Sequence, residues 1–282
     1  MGYCGRRGQT TPGPAFARSA GPVCPHAMTG EKIRFRFRKA DALRLISHLD
    51  TMRCFERMLR RASIPFKSSA GFNPKPRLVL ALSLPLGVVG DCEVAELELT
   101  EAHDVNDITN RLAAVAPPGM TFLSAKAVPL NATAVARRSV YRVAVPPGRI
   151  ETVREAARRL MASEKVWAER IKPKPRGLNI RPYLREIRVS DDAVEFDLWV
   201  THTGTARIDE LIAFVGLADQ AGDMNRIELE LADELTGDAG DQPPTAPAET
   251  RPPAASTVNA AQRDKTSIEP TWGLSPNGPI VE

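Results

Sequence analysis

The class predicted for this chain is α+β, a tandem of two ferredoxin-like units flanked by disordered ends. Three observations point to it. The apolar period switches between 2 and 3.6 in the order β-α-β-β-α-β, and does so twice. The tetrapeptide Pro-Lys-Pro-Arg occurs at 74–77 and again at 173–176, ahead of the second strand of each half. Of 24 prolines, four lie in 1–28 and eight in 236–282. Those ends, also rich in Gly, Ala, Ser and Thr, cannot bury enough apolar surface to offset their ordering entropy. The expected organisation is a disordered extension at 1–30, a first unit at 31–131, a second at 138–235 and a disordered Pro-rich tail at 236–282. Met28 is the expected natural start.

In the first unit, Ile33, Phe35 and Phe37 alternate with Arg34, Arg36 and Arg38, a strand with one buried and one cationic face. A helix is expected from His48 to Ala62, because Leu49, Met52, Phe55 and Leu59 recur at helical spacing. Ser47 with Asp50 three residues on forms a capping box, with Asp in place of Glu or Gln. Strands follow at Leu78–Leu84 and Glu93–Leu99, then a helix at Val105–Ala116 and a strand at Thr121–Pro129. Each unit should carry two helices on one face of a four-stranded antiparallel sheet.

In the second unit, strands are expected at Val140–Val145, Leu178–Val189, Val194–Val200 and Arg226–Leu231. Helices are expected at Ile150–Ser163 and Ile208–Val215.

The chain has 282 residues with 43% hydrophobic, enough for one large domain or two ordinary ones. Cys4, Cys24, Cys54 and Cys92 are too scattered for a disulfide framework, and none forms a C-x-x-C pair. No apolar run approaches the roughly 18 residues of a membrane span, and the N-terminal region has no signal-like apolar core. A cytoplasmic location is expected, with no membrane partner.

Lys plus Arg number 38 against 34 Asp plus Glu, so the sum alone favours no class of partner. The charge is nevertheless patterned. From Lys32 to Arg77 there are thirteen basic residues, opposed only by Asp41, Asp50 and Glu56. An acidic block follows from Asp91 to Asp107, and a second basic cluster spans Lys165–Arg188. Such a patch suits phosphate backbones, because each neutralised phosphate releases counterions. Arg53, Arg57, Arg60 and Arg61 would line one side of the first helix. The alternative is a solvated face in which Arg60 and Arg61 meet the C-terminal helix dipole.

The richest stretch is Ser68–Arg77. Gly71 permits positive φ, and Pro74 and Pro76 force an extended path. With Phe72, Asn73, Lys75 and Arg77 it would offer a ring for a base and cations for phosphate. Alternatively it is a stiff connector whose Phe72 packs into the core.

His48 and Asp50 invite a phosphodiesterase-like reading, but no nucleophile is tied to them by spacing, and a capping role competes. His26, His103 and His202 stand alone, and no iron–sulfur cysteine spacing or phosphate-cradling glycine loop is present. No catalytic set, metal or cofactor is expected.

The run Arg36-x-Arg38-Lys39, Leu45-Ile46-Ser47-His48-Leu49-Asp50, Phe55-Glu56-Arg57, Arg60-Arg61-Ala62, Gly71-Phe72-Asn73-Pro74-Lys75-Pro76-Arg77 and Leu84-Pro85-Leu86-Gly87-Val88 resembles the radical-SAM-linked domain of unknown function. Ile180-Arg181-Pro182-Tyr183 is also similar to that family's pattern. The resemblance covers roughly residues 31–230. It departs at Lys75, where the family often has His. Members are encoded beside, or fused to, radical SAM proteins that often carry a cobalamin-binding domain, so the resemblance implies a radical SAM enzyme as partner rather than a reaction. Together with the basic clusters, the expected function is a non-catalytic accessory protein that binds RNA and presents it for modification. The alternatives are an adaptor that docks the radical SAM enzyme without RNA, and a small enzyme acting on a phosphodiester. The expected binding residues are His48, Asp50, Arg53, Arg57, Arg60, Arg61, Gly71–Lys75, Arg77 and Arg181.

Overall fold

The computed structural model describes residues 29–172, 174–220, 222–234, 243–245 and 248–252. The predicted extension 1–30 lies outside them except for Thr29 and Gly30, which open the first strand. Met28 and most of the predicted tail 236–282 also lie outside the described residues.

The first half runs β1 (Thr29–Lys39), α1 (His48–Arg61), β2 (Leu78–Leu80), β3 (Val89–Asp104), α2 (Val105–Val115) and β4 (Met120–Ala127). The rest runs β5 (Ala136–Ala144), α3 (Ile150–Ala162), β6 (Trp167–Arg170), β7 (Arg176–Asn179), β8 (Leu184–Val189), β9 (Ala193–Trp199), α4 (Ile208–Phe214), β10 (Met224–Leu231) and β11 (Thr250–Arg251).

The architecture is mixed α+β, with few helices on a large mixed sheet. That sheet has eight strands in the order β4-β1-β3-β10-β5-β9-β8, and β2 also pairs with β3. All pairs are antiparallel except β3 with β10, which meet in parallel at Val89↔Asn225 and Gly90↔Arg226. The strands of the two halves, expected as a four-stranded antiparallel sheet in each, run together in one continuous sheet. The cause is strand length. β3 has 16 residues, and β2 pairs only with Ala95–Leu97, leaving Val89 and Gly90 to accept β10.

Local signals set most element starts. Ser47 Oγ accepts from the Asp50 amide at 3.1 Å and caps α1. Asp104 Oδ1 accepts from the Asn106 amide at 2.7 Å and caps α2. Alternation on β1 sends Ile33, Phe35 and Phe37 into a core with Phe55 and Leu59 of α1 and Ile108 and Leu112 of α2. Phe37 meets Phe55 edge-on at 5.1 Å between ring centres, a favoured aromatic geometry. A second core joins Val143, Phe196 and Leu198 to Val153 and Leu160 of α3 and Leu211 and Ile212 of α4.

Two predicted strands are shorter than their apolar runs. The run 78–84 leaves the sheet after Leu80, because the Leu82 and Ser83 carbonyls turn to the Arg226 guanidinium at 3.2 Å each. The run 178–189 breaks at Arg181–Tyr183, where Pro182 supplies no N–H and a 3-10 turn intervenes. Leu178 and Asn179 consequently pair with β6, while Leu184 onward pairs with β9. Thr250 and Arg251, inside the predicted disordered tail, form β11 on β7. Among the described residues, no helix is long and apolar enough to cross a membrane.

Candidate nucleic-acid interface

Helix α1 buries Thr51, Phe55, Met58 and Leu59 and leaves Arg53, Arg57, Arg60 and Arg61 exposed. Arg53 pairs with Asp50 at 2.9 Å, and Arg60 with Glu56 at 3.0 Å. Arg60 also lies 5.7 Å over the Phe66 ring. Arg57 and Arg61 have no ion-pair partner among the described residues.

The Ser68–Arg77 stretch is a hairpin closed at its base. Ser68 bridges Pro76, the Ser69 amide donates to the Lys75 carbonyl at 2.8 Å, and the Arg77 amide donates to the Lys67 carbonyl at 2.8 Å. The Lys75 amide donates to Ser69 Oγ at 3.1 Å. Lys67 donates to the Glu98 carbonyl and Glu98 to the Arg77 carbonyl, which stitches both arms to β3. Gly71, at φ +128°, turns the tip in a conformation other residues rarely adopt. Gly71, Phe72, Asn73, Pro74 and Lys75 are all exposed, and Phe72 is 105% exposed. The core-packed alternative for Phe72 is therefore excluded. Leu49, Met52, Arg53 and Glu56 of α1 share a hollow of about 110 Å³ with Lys75, Pro76 and Leu78, so the hairpin stands against the helix.

The cationic face is smaller than the sequence implies. Arg34, expected on a cationic strand face, is buried with its guanidinium 2.7 Å from Glu96 and 2.8 Å from Asp233. Arg36 pairs with Glu234, and Arg38 with Asp91 at 3.0 Å. Arg77 pairs with Glu98 at 3.2 Å. The Asp91–Asp107 acidic block lies largely on β3, beside β1, and supplies the partners of Lys32, Arg34, Arg38 and Arg77. Lys39 is buried too, donating to the Ile46 carbonyl at 3.0 Å, and burial lowers its pKa.

The His48 and Asp50 side chains have different partners. His48 Nδ1 is 3.2 Å from Ser83 Oγ. The Asp50 carboxylate accepts from Ser47 Oγ at 2.7 Å and from Arg53 at 2.9 Å. Those two hydrogen bonds, the Ser47 one foremost, hold its pKa below the ordinary aspartate value. Arg181 sits in the other half, where its guanidinium donates to the Met161, Ser163 and Leu184 carbonyls. Two of these close the C-terminal end of α3, so Arg181 acts there as a helix cap. The structure thus gathers α1 and residues 68–77, and sets Arg181 apart. The described residues contain no group of three or more His, Cys, Asp or Glu able to hold a metal.

Residue patterning missed an apolar component beside the cations. Leu45, Leu49 and Leu86 are each more than 60% exposed. The Gly87 amide donates to the Arg44 carbonyl at 2.8 Å and brings Leu86 to the start of α1. Helical spacing places Leu49 inward; in the structure it lies at the first turn, two positions before the buried stripe begins at Thr51.

No curated protein matches this chain significantly. Residues 32–209, more than half of the chain, match the DUF2344 family, whose description is "uncharacterized protein conserved in bacteria". They include α1, the exposed hairpin and the sheet beneath both, and the chain belongs to the DUF2344 family.

Proposed function

We propose that this chain is a non-catalytic accessory protein that binds RNA through the 68–77 hairpin and the exposed side of α1. The observation that carries the reading is Phe72, bare on the tip of a hairpin tied at its base, with Lys75 exposed in the same hairpin and Arg57 and Arg61 exposed on α1. A bare ring on a rigid support is costly in water and suits stacking on an unpaired base, while the cations follow phosphates. The hairpin needs little ordering on binding, which favours affinity. The strand orders β4-β1-β3-β2 and β10-β5-β9-β8 support the further reading of two ferredoxin-like units in tandem. The proposed partner is the radical SAM enzyme that the sequence resemblance implies, to which the RNA would be presented. Ultraviolet crosslinking of a bound RNA, followed by peptide mapping, tests the site. Crosslinks should fall on residues 68–77, and crosslinks confined to the second half would overturn the assignment.

A second reading is favoured by Leu45, Leu49 and Leu86, an exposed apolar group beside the cations. On this reading the same face docks the radical SAM enzyme directly, with charge setting orientation. Retention of that enzyme after nuclease treatment, with loss on Leu49→Asp, would favour it.

A further inference from the structure

Residues 248–252 lie along the outer edge of β7. The Asn179 amide donates to the Glu249 carbonyl at 2.9 Å, and Thr250 and Arg251 pair with Leu178 and Gly177. Arg251 does most of the side-chain recognition. Its guanidinium lies 4.7 Å over the Trp167 ring and 2.7 Å from Glu169. A Cβ on Gly177 would stand 2.6 Å from Arg251 Cγ, so the glycine clears the path by which the arginine crosses the strand. Glu249 adds an ion pair to Lys165 at 2.7 Å, and Ala248 packs on the second core.

Ring, carboxylate and bare backbone together form a cradle for one arginine, with an open strand edge for main-chain pairing. That combination is strand addition with a side-chain pocket, in which the backbone gives affinity and the pocket gives specificity. The present occupant is held lightly. β11 has two residues, both exposed, and its ion pairs are partly solvated.

We propose that the β7 edge is a peptide-binding site that reads an arginine, and that residues 248–252 are its displaceable internal occupant. Its external ligand is an extended protein segment carrying an arginine in the Arg251 position, with an acidic residue two places before it. In the proposed tandem, β6 and β7 stand between helix and second strand, as the 68–77 hairpin does in the first half. The site is nevertheless independent of RNA binding.

The test uses the full chain and its Arg251→Glu variant with a labelled peptide of residues 246–255. The internal occupant competes at high effective concentration, so the wild-type chain should bind the peptide weakly. The variant should bind it at least tenfold more tightly, and a peptide with Arg251→Glu should bind neither. Amide exchange at Asn179 should be at least tenfold faster in the variant and slow again when the wild-type peptide is added. Faster exchange without peptide binding would overturn recognition. Unchanged exchange at Asn179 would overturn displacement. Circular dichroism identical to wild type confirms that the variant folds, and Gly177→Val, which fills the cradle from the other side, should reproduce its fast exchange but bind no peptide.

Discussion

The buried Arg226 guanidinium lies against the Glu93 carboxylate and joins β10 to β3 where the two halves of the sheet meet. Its Nε is 2.8 Å from Glu93 Oε1, and its Nη1 is 3.2 Å from the Tyr141 hydroxyl and the Ser83 carbonyl. Burial alone would favour losing the charge, and Glu93 more than offsets it, raising the arginine pKa. Every donor direction finds an acceptor, as a buried ion requires.

Removing one member of this pair strands the other in the core. Arg226→Met should destabilise the fold by about 3–5 kcal/mol in urea unfolding. Adding Glu93→Leu to it should recover part of that loss, because no buried charge is then left unpaired. A double variant no more stable than the single one would show that the pair is not the main contribution.

Phe72 has no packing role to lose. Phe72→Ala should change unfolding stability by no more than about 0.5 kcal/mol. It should weaken binding to unpaired RNA by about 1–3 kcal/mol, the usual contribution of one base stacked on an aromatic ring. Both numbers come from one protein preparation, by urea melt and by titration.

Arg57, Arg61 and Lys75 are exposed and have no ion-pair partner among the described residues, so reversing them to Glu leaves the core intact. If each meets a phosphate, the slope of log K against log salt should fall by about 0.7 per contact on single-stranded RNA. Arg34→Glu is a poor comparison, because it places two carboxylates together with Glu96. Measuring affinity at four salt concentrations reads the slope directly.

Glu234 ties the segment after β10 to β1 and β4, pairing with Arg36 and with Lys126 at 2.8 Å. Burial would raise its pKa, but Lys126 and Arg36 outweigh burial and hold it below the ordinary glutamate value of 4.5. A carboxyl depressed on folding stabilises the fold above its unfolded value and loses that contribution as pH falls through the folded one. Stability should thus decline below about pH 4.5, and Glu234→Gln should flatten that part of the profile. An unaltered profile in Glu234→Gln would assign the acid loss to other carboxylates.

What was legible in the sequence was local. Ser47 and Asp50 announce the start of α1 because their bonds span three residues. The order of strands and helices follows from apolar period for the same reason. Charge was misjudged because its partners are remote in sequence: Glu96 is 62 residues from Arg34, and Asp233 is 199. A count over a window sees Arg34, Arg36 and Arg38 as a free face, while folding places them beside β3 and the residues after β10. The partners of Arg181 were hidden in the same way, since its acceptors are backbone carbonyls that composition does not mark. The turn within 68–77 was legible from Gly71, whose φ is +128°. Whether Phe72 points inward or outward was not, because both outcomes use the same backbone. β11 escaped notice because two residues in a proline-rich run carry no period.

The most direct measurement is a fluorescence-anisotropy titration of the full chain with total transfer RNA, at low and at moderate salt, beside Phe72→Ala. RNA held at the hairpin face predicts micromolar or tighter binding at low salt, a steep fall with added salt, and weaker binding by the variant at both. No binding at low salt, where attraction to phosphate is strongest, would contradict it.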